Sequence, residues 1–103
     1  MSPIEQLLEL LAMALRDPFR RKESIAKFQA IVWEGLDPAL PANVGDVLRD
    51  LAYDLDFFET RSEVRSEDGV LYGHERAERE IRDALEKLRA AGVSTPTISS
   101  IGE

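Results

Sequence analysis

The 103-residue chain contains no cysteine, which excludes disulfides, thiolate catalysis and cysteine ligation of a metal. It has a single histidine, His74, so a catalytic histidine dyad or a two-histidine zinc helix cannot form. His74-Glu75-Arg76-Ala77-Glu78 shares only the opening of a metalloprotease helix and lacks its second histidine. Its six glycines fall in no phosphate-cradling or nucleophile-elbow spacing. Long apolar runs are missing too. The longest candidate, Ile4 to Leu15, is interrupted by Glu5, Gln6 and Glu9, and it lacks the basic start and small-residue cleavage site of a signal peptide. Together these absences predict a soluble, cytoplasmic protein without a cofactor or metal and without enzymatic chemistry.

Positive charge is also scarce: 13 basic residues stand against 20 acidic ones, and the deficit is local. From Glu34 to Asp68 ten carboxylates face Arg49, Arg61 and Arg65, a balance of −7 that equals the formal net charge of the whole chain. Met1 to Trp33 carries +1 and Gly69 to Glu103 carries −1. A field of that sign repels nucleic-acid phosphates and steers basic protein partners. The short basic run Arg20-Arg21-Lys22, with Lys27, reads as a solvated face or as an internal counter-charge to the acidic segment.

Apolar spacing predicts four helices. The first opens on the capping box Ser2-Pro3-Ile4-Glu5 and carries Leu7, Leu8, Leu11 and Leu15 on one stripe up to about Arg16. Asp17-Pro18 reads as the cap and first residue of a second helix, with Ile25, Phe28, Ile31 and Val32 inward and Gly35 as its stop. After the two prolines of Asp37 to Pro41, Asn43 is expected to cap a third helix bearing Val44, Val47, Leu48, Leu51, Ala52 and Leu55. The fourth starts at Gly73 or His74 and runs to Ala91, with Gly92 as terminator. The expected architecture is an all-α, antiparallel four-helix bundle over residues 1–92, with a mobile tail over residues 93–103. A connection of about fifteen residues, Phe57 to Tyr72, separates the third and fourth helices. Its length alone marks it as a candidate functional loop or as a short extended or 3₁₀ segment capping the bundle.

On the third helix the acidic excess acquires geometry. Asp46, Asp50 and Asp54 recur every four residues and so share a face, bordered by Tyr53 and Phe57. Like charges so spaced weaken a helix by a few tenths of a kcal/mol per pair, roughly, a cost with no local return. Asp56 and Glu59 continue the charge and Tyr72 is a further aromatic candidate, while Phe58 is expected to plug the end of the bundle. Carboxylates that steer beside aromatics that anchor are the ingredients of a protein interface. The plain alternative is a solvated helix face with Tyr53 and Phe57 tucked under the following loop. Asp54, Asp56 and Glu59 have no calcium-loop register, and no group is evident in the sequence that would split the carboxylate pKa values for acid–base work.

The segments Leu51-Ala52-Tyr53-Asp54-Leu55-Asp56-Phe57-Phe58, Arg65-Ser66-Glu67-Asp68, Leu71-Tyr72-Gly73 and Glu78-Arg79-Glu80-Ile81 together resemble small bacterial immunity proteins. These are the helical type found beside contact-dependent growth-inhibition toxins and colicin-like nuclease toxins. The resemblance spans about Leu48 to Leu88. It implies a protein that binds a cognate, basic, nuclease-like toxin and blocks it, as a monomer or weak dimer. Asp46, Asp50, Asp54, Asp56 and Glu59 would then be electrostatic contacts, and Tyr53, Phe57 and Tyr72 anchors. A helical adaptor or self-associating protein with no toxin partner is the alternative.

Overall fold

A computed structural model of the chain describes residues 3–95. The expected Ser2 cap and most of the expected tail, residues 96–103, lie outside the described residues. The rest is all-α. Five α-helices are present: α1 (Pro3–Arg16), α2 (Arg21–Glu34), α3 (Ala42–Asp54), α4 (Ser62–Glu67) and α5 (His74–Ala90). A 3₁₀ turn, Leu55–Phe57, extends α3. Among the described residues there is no strand, only an isolated parallel bridge between Phe58 and Tyr72.

Each of the four longer helices touches two others: α1 lies on α2, α2 on α3, α3 on α5, and α5 returns to α1. The apolar stripes face inward. Leu7, Leu11, Phe28, Leu48, Ile81 and Leu88 are essentially inaccessible. Each such side chain removed from water contributes about 1.5–3 kcal/mol, which outweighs the weak intrinsic stability of helices this short. Between α2 and α3 a buried polar bond runs from Gln29 Nε2 to the carbonyl of Ala52 at 2.9 Å.

Two local expectations are corrected. Asp17-Pro18 does not start α2. The Asp17 carboxylate accepts from the amides of Phe19 (3.0 Å) and Arg20 (3.3 Å), which holds a turn, and the helix begins only at Arg21. Asn43 does not cap α3, which starts at Ala42. Pro41 precedes the helix in an extended conformation, and its carbonyl accepts the amides of Val44 and Gly45, so no side-chain cap is used. The long connection between α3 and α5 agrees with its reading as a 3₁₀ and extended segment, and it adds a short helix that was not expected. It carries the 3₁₀ turn and α4, and its ends are zipped by Tyr72 N–H to the Phe57 carbonyl (3.0 Å) and Glu59 N–H to the Tyr72 carbonyl (2.8 Å). Helix α4 has no buried residue, so it leaves no apolar period in the sequence to read. Gly35, at φ +128°, ends α2 in a region that side chains rarely adopt.

Arg21 is the fold's central polar pin. Its guanidinium is 1% exposed, although it sits in the run read as a solvated basic face or as an internal counter-charge. Nε donates to the carbonyl of Ala14 (2.6 Å) and Nη2 to that of Leu15 (3.1 Å), so the side chain closes the C-terminal end of α1. Nη2 also meets Glu78 Oε2 (2.9 Å), and Nη1 donates to His74 Nδ1 (2.7 Å), both on α5. One planar fork thus joins α1, α2 and α5, a geometry that lysine cannot reproduce. Its internal counter-charge is Glu78 rather than the acidic segment.

Candidate functional site: an acidic groove between α3 and α5

Because α3 packs on α5, the carboxylate row is not a free-standing stripe. Asp50 and Asp54 form one wall of a groove of about 270 Å³, and Glu80, Asp83 and Lys87 of α5 form the other. Val47, Leu51 and Ala84 complete its lining. Four carboxylates therefore face one ammonium across an apolar base. Such a lining suits a long cationic side chain, whose methylenes pack on the base while its head meets the acids.

The groove is electrostatically tense at one point. Asp54, half-buried at the seam, is pushed up to about 6 by burial and then by its hydrogen bond with Glu80. Glu80 is held below its ordinary value chiefly by the same hydrogen bond and also by Arg76, whose Nε lies 3.0 Å from Oε2. Near pH 7 both carboxylates are ionised and oppose one another across the seam; a proton joins Asp54 to Glu80 only as pH falls through about 6. Glu80 is the group that splits the carboxylate pKa values, and only the packing of the two helices reveals it. A lysine or arginine from a partner would relieve that repulsion.

The aromatics divide. Tyr53 is 68% exposed and meets the half-buried ring of Phe57 edge-on, with centroids 5.5 Å apart. Phe57 packs partly against the core, so it supports Tyr53 as much as it presents surface. Tyr72 does not belong to the exposed set. It is buried, its hydroxyl donates to the Asp54 carbonyl (2.7 Å), and Arg76 lies over its ring at 4.9 Å. It braces the end of α3 from behind. Phe58 is buried, as a plug for this end of the fold should be.

The remaining expected contacts are scattered. Asp46 is exposed and paired with Arg49 (3.3 Å), at the far end of the row from the Asp54–Glu80 contact. Asp56 is exposed on the 3₁₀ turn. Glu59 is forked by Arg61 (2.9 Å), whose guanidinium and amide hydrogen bonds hold its carboxyl down to about 2. Arg65 Nη1 donates to the Glu59 carbonyl (2.6 Å), which fixes that end of the connection. The structure therefore brings Asp50 and Asp54 together with three residues that the sequence reading missed, Glu80, Asp83 and Lys87, while Tyr53 stands exposed on α3 outside the groove lining. Their signal was available: Arg76, Glu80, Asp83 and Lys87 recur at spacings of three and four beside the apolar stripe of α5.

Among the described residues no group of three or more histidine, aspartate or glutamate side chains is arranged to hold a metal ion. No helix among them is long and apolar enough to cross a membrane. No family model, curated protein or solved structure matches the chain.

Proposed function

We propose that the protein is an immunity protein: it binds a basic, nuclease-like toxin through the α3–α5 face and blocks it by occlusion, without chemistry of its own. The observation that carries the reading is the convergence of Asp50, Asp54, Glu80 and Asp83 on one groove beside the exposed ring of Tyr53. A nuclease must hold phosphates with basic side chains, and carboxylates spaced along a groove offer those side chains an alternative anion. Tyr53 supplies the desolvated contact area that charge alone does not. The resemblance to helical immunity proteins supports the same reading. In this proposal the four longer helices form an antiparallel bundle, the protein acts in the cytoplasm as a monomer or weak dimer, and no nucleic acid or cofactor takes part.

The test is capture from the source organism's lysate by the wild type and by Asp50→Lys/Asp83→Lys, two exposed positions on opposite walls of the groove. The reading expects a basic protein in the wild-type sample alone, with nucleic-acid cleavage that falls when wild-type protein is added. Capture of the same protein by both forms would move the interface off this groove. A second reading, self-association through the pair Tyr53–Phe57, draws on the exposure of Tyr53 and its edge-on contact with Phe57. Sedimentation showing a concentration-dependent mass, abolished by Tyr53→Ala, would favour it.

A further inference from the structure

We propose that His74 is an acid-operated latch, which at neutral pH fastens the 58–73 connection and the start of α5 to the α1–α2 corner and at mildly acidic pH releases them. The argument begins with hydrogen-bond roles. Arg21 Nη1 can only donate, so His74 Nδ1 at 2.7 Å must be the lone-pair nitrogen of a neutral ring, with its proton on Nε2. A second proton would turn Nδ1 into a donor facing a donor and place two cations in contact. Arg21 cannot withdraw from that encounter. It is 1% exposed and is held by the carbonyls of Ala14 and Leu15. The histidine side is the one that gives way.

Three charged groups act on the ring. Arg21 faces it from α2 and Glu78 from its own helix, the latter already engaged by Arg21 at 2.9 Å. Arg65 faces it from α4, where its guanidinium lies over Gly73, with its carbon 3.2 Å from where a side chain there would begin. From α1 come the two carbonyls bound to Arg21. Two guanidinium groups therefore oppose the imidazolium and one carboxylate favours it. His74 is also the first residue of α5, where the helix dipole disfavours a cation. Consistent with this, burial and then Arg21 hold the ring below the ordinary histidine value of 6.5.

The ring also touches what would be released. It stands edge-on to Phe58, with centroids 5.1 Å apart, and Phe58 is bridged to Tyr72. Ejecting the imidazolium removes the ring against which Phe58 packs and frees both ends of the connection. The consequence for binding rests on the proposed function: Asp56, Phe57 and Glu59 adjoin this segment, so acidification would disorder that edge of the acidic face.

The test uses the full chain without a partner, so its result is independent of whether a toxin is ever found. Amide exchange and ¹H–¹⁵N spectra are recorded from pH 8 to 5. Protection at the Glu59 and Tyr72 amides, corrected for intrinsic exchange, should fall by a factor approaching ten per pH unit below 6.5, while the core of α3 stays protected. His74→Gln keeps a side-chain carbonyl for Arg21 but cannot titrate, and it should abolish the transition. Persistence of protection to pH 5, or the same transition in His74→Gln, would overturn the latch. Should that variant fail to fold, the wild-type ring ¹⁵N shifts decide: a proton on Nδ1 at pH 7.5 is incompatible with it.

Discussion

Replacing Arg21 by methionine tests whether one buried guanidinium holds three helices together. Methionine fills much of the same space, so the loss is mainly of hydrogen bonds rather than of packing. The carbonyls of Ala14 and Leu15 lose their donor at a site that water does not reach. Each orphaned carbonyl costs about 1–3 kcal/mol. Glu78 is 35% exposed and rehydrates, so its lost ion pair adds little, and His74 loses one bond. The expected destabilisation is about 3–5 kcal/mol, the range found when one member of a buried pair is removed. Against a typical total of about 5–15 kcal/mol this is a large fraction. In urea unfolding followed by far-UV circular dichroism, with a slope of about 1.5 kcal/mol/M, the midpoint should fall by about 2–3 M. Arg21→Lys should suffer more than half of that loss, because one ammonium cannot serve four acceptors in one plane. Lys22→Met, an exposed neighbour, should stay within about 0.5 kcal/mol of wild type. A midpoint shift below about 0.5 M for Arg21→Met would mean that the guanidinium is solvated and the three-helix pin does not exist.

Three further outcomes follow from the same geometry. Asp54 has a folded-state pKa of about 6 against 3.8 unfolded, so its stabilising contribution is fully present below 3.8 and is lost as pH rises through 6. Asp54→Asn should therefore gain about 1 kcal/mol over wild type at pH 8, allowing for solvent screening, and lose that advantage by pH 4, as paired urea titrations would show. Tyr72→Phe removes the hydroxyl that donates to the Asp54 carbonyl and should cost about 1 kcal/mol in thermal unfolding with no change of fold. Tyr53→Ala, at a 68% exposed position, should change stability by no more than about 0.5 kcal/mol, yet weaken capture of a basic partner by about 2 kcal/mol in titration calorimetry if Tyr53 is an anchor.

The parts of this fold that could be read from the sequence share one property: they are encoded within a few turns of chain. The stripes Leu7-Leu8-Leu11 and Ala77-Ile81-Leu85 announce their helices because the apolar period is local. Helix α4, with nothing buried, offers no such period. Arg21 was unreadable for the opposite reason. Its identity is plain, but the partners that bury it lie 53 and 57 residues away. The candidate site divides along the same line. The row Asp46, Asp50 and Asp54 is a property of one helix, whereas the groove and the raised pKa of Asp54 need Glu80, brought near only when α3 meets α5. Pro41 shows how one local signal masks another, since Asn43 is a good capping residue that a preceding proline made unnecessary.

The bridge between Phe58 and Tyr72 makes the connection it closes separable from the rest of the molecule. Residues 59–71 leave and re-enter at adjacent points fixed by two main-chain hydrogen bonds, and α4 between them buries no residue. Doubling the length of such a closed excursion costs only about 0.6 kcal/mol of chain entropy. Apart from Arg61 and Arg65, which hold Glu59, insertions, deletions and replacements between Thr60 and Val70 are thus cheap for folding, while they rewrite the surface next to Asp56 and Glu59. A lineage needing to follow a changing partner has in this segment a region free to diversify, anchored on a scaffold that need not change with it.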